Sequence, residues 1–174
     1  FPDSKTAYNG VFKLKPGNLI IISNSKFSIK EYWKLKKNKI IEYKESKKEI
    51  LILLKNSVKI NLRSDVPIAT LLSGGMDSSI LAFLISKETN LQQTLSVDYI
   101  GKKFNEGENA KLFSNKIGST HTSIKLDQEK FFSIFKEVIN RIDEPNADSA
   151  LISSFALANE AKNNGIKVLI SGAG

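Results

Sequence analysis

From residue 66 onward the sequence predicts an α/β fold, a parallel sheet covered by helices. Three observations carry that prediction. Strand-length apolar runs alternate with helix-length segments, the pattern of strand–helix–strand units. The runs at 66–72 and 166–170 are largely apolar rather than strictly alternating, as strands buried on both faces must be. A glycine-rich turn, Ser73-Gly74-Gly75-Met76, joins the first run directly to a helix.

The elements follow in order. Residues 11–14 alternate apolar and polar, 15–18 (Lys-Pro-Gly-Asn) form a turn, and 19–23 are an apolar run. A second turn at 24–26 leads to a strand over 27–33. The lysine-rich stretch 34–48 reads as a connector. From about Glu42 to Leu62 the period becomes helical, with Ile50, Leu54, Val58 and Leu62 every fourth residue and Leu51 beside them. Pro67 stands near the start of the strand 66–72, where a missing N–H costs least. Asp77 and Ser78 open a helix that runs to about Glu88. Then come a strand at 93–98, a polar loop at 100–106 and a helix at 106–117 that Gly118 stops. A strand at 121–126 precedes Asp127, a cap for a helix to about Arg141 with Phe131, Phe135, Val138 and Ile142 on one face. A loop at 143–149, a helix at 150–163 and a strand at 166–170 lead into a second glycine loop.

Composition narrows the function. The 174 residues, 41% hydrophobic and 25% charged, suffice for one domain or one domain with part of another. With no cysteine there is no disulfide, thiolate metal site or thiol nucleophile in this sequence. A single histidine argues against a multi-histidine zinc site, and His121 reads as structural because no base partner is visible. The longest apolar runs, 19–22 and 50–54, are far shorter than the ~20 residues of a membrane span. The ends at Phe1 and Ser171-Gly172-Ala173-Gly174 read as a fragment of a longer soluble protein.

Charge is uneven. Residues 1–63 hold 15 of the 26 basic and 5 of the 18 acidic groups, a net +10 against −2 for the rest. Lys34, Lys36, Lys37 and Lys39 around Trp33 form the most RNA-like cluster, and a basic RNA-binding arm is one reading of the segment. Only Arg63 and Arg141 are arginines, however, and phosphate or base reading favours arginine. A solvated lysine face is the simpler reading.

The chemistry centres on Ser73-Gly74-Gly75-Met76-Asp77-Ser78-Ser79. Glycines after a strand let backbone N–H groups converge, and the helix N-terminus adds about half a positive charge. Serine hydroxyls can donate to phosphate oxygens. Asp77 belongs in an anion site only if Mg²⁺ lies between carboxylate and phosphate, so the set predicts a metal-chelated polyphosphate. The lysine of a Walker loop is missing, and so is the spacing of a dinucleotide-binding turn.

That segment resembles the pyrophosphate loop of the N-type ATP pyrophosphatases. Residues 65–79 are similar to D-V-P-x-x-x-L-L-S-G-G-x-D-S-S of the class II, glutamine-dependent asparagine synthetases. Asn105, Glu106 and Ala110 resemble that family's acidic loop, and 117–121 its L-G-T-x-H-H segment. Residues 143–148 resemble its D-E-P-x-x-D, 168–172 the strand before S-G-x-G-x-D-E, and 8–17 the seam closing its glutaminase domain.

The resemblance implies an adenine nucleotide alpha hydrolase-like (PP-loop) fold. Residues 1–40 would be the remnant of a glutaminase domain with a connector, and 41–174 the first part of the synthetase domain, ending as the second glycine loop begins. It implies an asparagine synthase (glutamine-hydrolysing) type of ligase, cytoplasmic, with ATP and Mg²⁺ as cofactors. Aspartate is activated as β-aspartyl-AMP, pyrophosphate leaves, and ammonia from glutamine gives asparagine. Carried over by position, Leu72 and Val97 contact the nucleotide, and Ser171 and Gly172 lend it backbone. Ser73, Gly74, Gly75, Asp77, Ser78 and Ser79 hold the pyrophosphate, with Asp77 on the metal. Other catalytic residues fall beyond Gly174, so this piece alone is expected to be inactive. No nucleic acid or membrane partner is implied, and a homodimer is left open. Ala173 stands where many asparagine synthetases carry an acidic residue. That departure keeps open another acceptor, such as a sugar acid or β-lactam precursor.

Overall fold

Four strands, all parallel, make the sheet, and their order is not the order of the chain. The structure is a computed structural model and describes residues 4–36, 42–90, 92–101 and 106–172. Lys37, Lys39, Asn105, Ala173 and Gly174 lie outside the described residues, as do parts of the connector and of the loop expected at 100–106. The chain divides into two units, Phe1–Glu42 with Ile142–Ala147, and Tyr43–Arg141 with Asp148–Gly174.

In the first unit β1 (Asn18–Ser23) pairs antiparallel with β2 (Lys26–Glu31). Asn24 and Ser25 both take positive φ, 48° and 61°, the mirror-image turn whose twist matches a two-residue hairpin. Upstream, Gly17 sits at φ +72°, and a Cβ there would collide with the Trp33 carbonyl oxygen, so the turn demands glycine. The N–H groups of Tyr32 and Trp33 donate to the Gly17 carbonyl at 2.8 and 3.2 Å, which is why β2 stops at Glu31 rather than at Trp33. The strand expected over 11–14 does not form. Among the described residues Phe12 makes an isolated antiparallel bridge with Lys5, and the Lys13 N–H donates to Ser4 O at 2.8 Å. Lys13 Nζ donates to Glu144 Oε1 at 2.6 Å and holds that carboxyl below its usual pKa.

The second unit runs α1 (Tyr43–Asn61), β3 (Ile68–Leu71), α2 (Met76–Glu88), β4 (Gln93–Tyr99), α3 (Glu106–Lys116), β5 (Thr120–Leu126), α4 (Gln128–Ile139), α5 (Ala150–Asn163) and β6 (Val168–Ile170). The sheet order is β5-β4-β3-β6. Strands β3, β4 and β5 step outward in sequence, and the chain then returns to lay β6 on the other side of β3. Crossovers between parallel strands keep one hand, so this reversal places α2 and α3 on one face and the returning α5 on the other. Helix α3 packs on β4 and β5, while α4 packs on α5.

One core cluster joins Leu72, Ala82 and Ala110 with Phe113 and Ile117 at its edge. The other joins Val58 of α1 to Leu84 and Ile85 of α2. Here the expected α1 stripe is only partly realised. Val58 is buried, but Ile50, Leu51 and Leu54 are 55%, 45% and 36% exposed. Val58 and, past the helix end, Leu62 pack against the Leu84 and Ile85 core. Asp127 caps α4 as expected, its carboxylate accepting from the Lys130 N–H at 2.8 Å. The buried residues of α4 are Ile134 and Val138, whereas Phe135 is exposed and the helix ends before Ile142. Among the described residues no helix is long and apolar enough to cross a membrane.

Candidate functional site

Strand β3 ends at Leu71, and the Leu72 N–H donates to Leu95 O at 2.8 Å, extending the ladder into a fully buried position. The chain then turns sharply, with Gly74 at φ +83°. Two hydroxyls organise the turn. Ser78 Oγ accepts from the Ser73 N–H at 3.2 Å, shares a hydrogen bond with Ser73 Oγ at 3.0 Å and donates to Gly75 O at 3.2 Å. The Gly75 N–H in turn donates to Ser73 Oγ at 3.3 Å. Helix α2 begins at Gly75 with no side-chain cap, so its first-turn N–H groups face outward with the positive end of the helix dipole. Asp77 is exposed in that first turn.

The second glycine loop backs onto the same turn. A Cβ on Gly172 would lie 3.3 Å from the Ser78 nitrogen and 3.4 Å from the Asp77 carbonyl carbon. Only glycine allows so close an approach of the two backbones without one of them giving way.

These elements bound a cleft of about 430 Å³ at the carboxyl ends of β3, β4 and β6. Its lining comprises Leu71, Leu72, Ser73, Asp77 and Ser78 from the β3–α2 turn, Leu95, Ser96, Val97 and Tyr99 from β4, Ala150, Ser153 and Leu157 from α5, and Ser171 with Gly172. The place is where the strand order reverses, the position at which open α/β sheets bind ligands.

Of the residues the sequence singles out, Leu72, Ser73, Asp77, Ser78, Val97, Ser171 and Gly172 are brought together in this cleft. Gly74 and Gly75 shape the turn. Ser79 lies apart. Its N–H donates to Gly75 O at 3.1 Å, and the residue lines a neighbouring groove between α1 and α2 rather than the cleft. From the D-E-P-x-x-D segment, Glu144 is engaged by Lys13, and Asp148 Oδ1 accepts from the Ala150 N–H at 2.9 Å, helping to start α5. His121 shares hydrogen bonds with Thr94 Oγ1 at 2.9 Å through Nδ1 and with Ser96 Oγ at 3.1 Å through Nε2. Burial, and secondarily the charge of Lys111, lower its pKa, so the ring is held neutral and ties β5 to β4.

Sequence reasoning missed Ser96, Tyr99, Ala150, Ser153 and Leu157. Strand alternation from Val97 could have found Tyr99. Nothing local marks α5 as a wall of the cleft.

Among the described residues no group of three or more His, Cys, Asp or Glu could hold a metal ion. A lone carboxylate beside the uncapped N-terminus of α2 nevertheless suits Mg²⁺, which takes one or two carboxylates and completes its shell with phosphate oxygens and water. Asp77 fits that donor set.

The sequence profile of the asparagine synthase family matches residues 49–174. Asparagine synthetase [glutamine-hydrolyzing] 1 of Bacillus subtilis is 30% identical over 176 residues, which cover 99% of this chain and 28% of that protein. Amidase chyE of Penicillium rubens is 32% identical over 193 residues, covering 99% of this chain and 29% of the amidase. The chain thus spans less than a third of the length of these curated relatives. Among solved structures, the NMN synthetase of Francisella tularensis overlays with a TM-score of 0.48 at 17% identity, covering 74% of this chain and 54% of the other, a likeness too slight to argue from.

Proposed function

The chain belongs to the asparagine synthase family, and from that premise we propose that its cleft binds MgATP within an ATP-dependent, amide-forming ligase. The observation that carries the reading is the uncapped N-terminus of α2 beside Ser73, Ser78 and Asp77 at the carboxyl edge of the sheet. Backbone N–H groups and the two hydroxyls grip the β- and γ-phosphates. Asp77 would hold Mg²⁺, which neutralises the pyrophosphate as it departs. Leu72 and Val97 flank the nucleoside, and Ser171 and Gly172 bring backbone against the loop.

In the whole protein a carboxylate oxygen of the acceptor attacks the α-phosphorus, the bond to the β-phosphate oxygen breaks, and pyrophosphate leaves. Ammonia then attacks the acyl carbon, AMP departs with the former carboxylate oxygen, and the nitrogen loses a proton. Aspartate is the acceptor proposed first, with glutamine as the ammonia source. The kinship with a fungal amidase supports a second reading in which another carboxylate is amidated. Residues 1–40 are proposed as the end of a glutaminase domain with its connector, and 41–174 as the start of the synthetase domain. The start of the family profile at residue 49 and the end of the first unit's leading segment at Glu42 support a division near there. The cytoplasm is proposed as its location.

Two measurements test the reading. Calorimetry should show Mg²⁺-dependent ATP binding that Asp77→Ala weakens at least about tenfold, roughly 1.4 kcal/mol. The whole protein, given labelled ATP, glutamine and a carboxylate panel, should release AMP and pyrophosphate. ADP as the main product would overturn the mechanism.

A further inference from the structure

The cleft has two chemically different ends. Ser73, Asp77, Ser78 and Gly172 cluster where β3 and β6 meet the first turn of α2. On the opposite flank the hydroxyls of Tyr99 and Ser153 are hydrogen-bonded to each other and both line the cleft. Tyr99 is the last residue of β4, two beyond Val97, so strand alternation places both side chains on the same face. Ser153 lies in the first turn of α5. Around the pair the lining is apolar: Leu95, Val97 and Leu157. An apolar wall with a few placed polar groups is how a protein accepts a flat, partly polar ring system and fixes its orientation. A ligand whose phosphates sit at the α2 terminus must extend its other end toward β4 and α5, because β4 is the neighbour of β3 on the side away from β6.

We propose that the Tyr99–Ser153 hydroxyl pair reads the nucleoside end of the ligand, hydrogen-bonding its polar edge while the β3–α2 turn takes the phosphates. The inference rests on the reading of the cleft as an MgATP site, and it adds specificity-determining residues on α5 and on the last residue of β4.

The test titrates AMP and magnesium pyrophosphate separately into the chain and into its Tyr99→Phe, Ser153→Ala and Asp77→Ala variants. Tyr99→Phe and Ser153→Ala should each weaken AMP about tenfold and leave pyrophosphate within about twofold. Asp77→Ala should do the reverse. Retained pyrophosphate binding doubles as proof that the two hydroxyl variants are folded, and retained AMP binding does the same for Asp77→Ala. If AMP and pyrophosphate weaken together, the pair only braces α5 against β4 and the proposal fails. AMP binding that is unchanged in both hydroxyl variants sinks it equally. Failure of the unaltered chain to bind MgATP would instead bring down the parent reading.

Discussion

Two cavities of the same unit invite comparison. The cleft at the strand ends measures about 430 Å³, and the groove between α1 and α2 about 640 Å³. The larger one is lined by Ile50, Leu51, Leu54, Ile80, Phe83 and Phe113, with Lys47 and Lys55 beside them. Its polar groups do not converge. In the smaller one, hydroxyls, a carboxylate and uncapped backbone N–H groups meet from three strands and two helices. On the proposed reading, size and greasiness do not locate the chemistry. Convergence of polar groups at the place where the sheet reverses does.

The strongest way to break this contrast is to empty each side of one leucine. Leu72, fully buried between Ala82 and Ala110, should cost about 2–5 kcal/mol when changed to Ala. Leu51→Ala in the groove should cost well under half of that, since the side chain is already half solvated. Urea unfolding of the two variants measures the difference, and equal losses would mean the groove is as much core as the cleft floor.

Next in size is an effect on ligand. Gly172→Ala adds a carbon at 3.3 Å from the Ser78 nitrogen, where backbone must move. MgATP affinity should fall about tenfold, whereas Leu51→Glu should leave it within about twofold. Isothermal titration of both variants checks this, and a groove variant that weakens ATP as much would join the two cavities functionally.

The smallest expected effect sharpens the comparison through pH. His121 hydrogen-bonds Ser96, which lines the cleft, and its folded pKa lies below 6.5. The unfolded chain therefore takes up the proton first as pH falls. Stability from this group is complete above about pH 6.5 and declines below it toward the folded pKa. Denaturation midpoints taken from pH 8 to 5 should drop less steeply for His121→Gln. An identical slope would remove the ring from the account.

The legibility of the molecule follows the same division. The turn from β3 into α2 could be read directly, because strand, glycines and helix start are consecutive and Ser73 and Ser78 meet within one turn. The hairpin turn at Asn24 and Ser25 is local in the same sense. Helix α1 forms over Tyr43–Asn61 as its periodicity predicts, but periodicity says which residues share a face, not whether anything covers that face. Over 11–14 the described residues hold an isolated bridge rather than a strand, and pairing of that kind is again a tertiary matter. Ser153 was invisible because its importance arises only when α5 packs on β4, more than fifty residues away in sequence.

The placement of β6 has a temporal consequence. Val168–Ile170 pairs with Ile68–Thr70 across about a hundred residues, whereas β3 pairs with β4 across a far shorter helical crossover. Loop closure disfavours the longer pairing, so during folding one edge of β3 waits for a strand made last. The turn from β3 into α2 can take shape early, but Gly172 reaches it only when that edge is sealed. Pulse-labelled hydrogen exchange should find the amides of β6 gaining protection after those of β4, and simultaneous protection would contradict this order. Until then β3 presents open hydrogen-bonding groups to any strand in reach, which makes the last crossover the moment at which a growing chain is most exposed to mispairing.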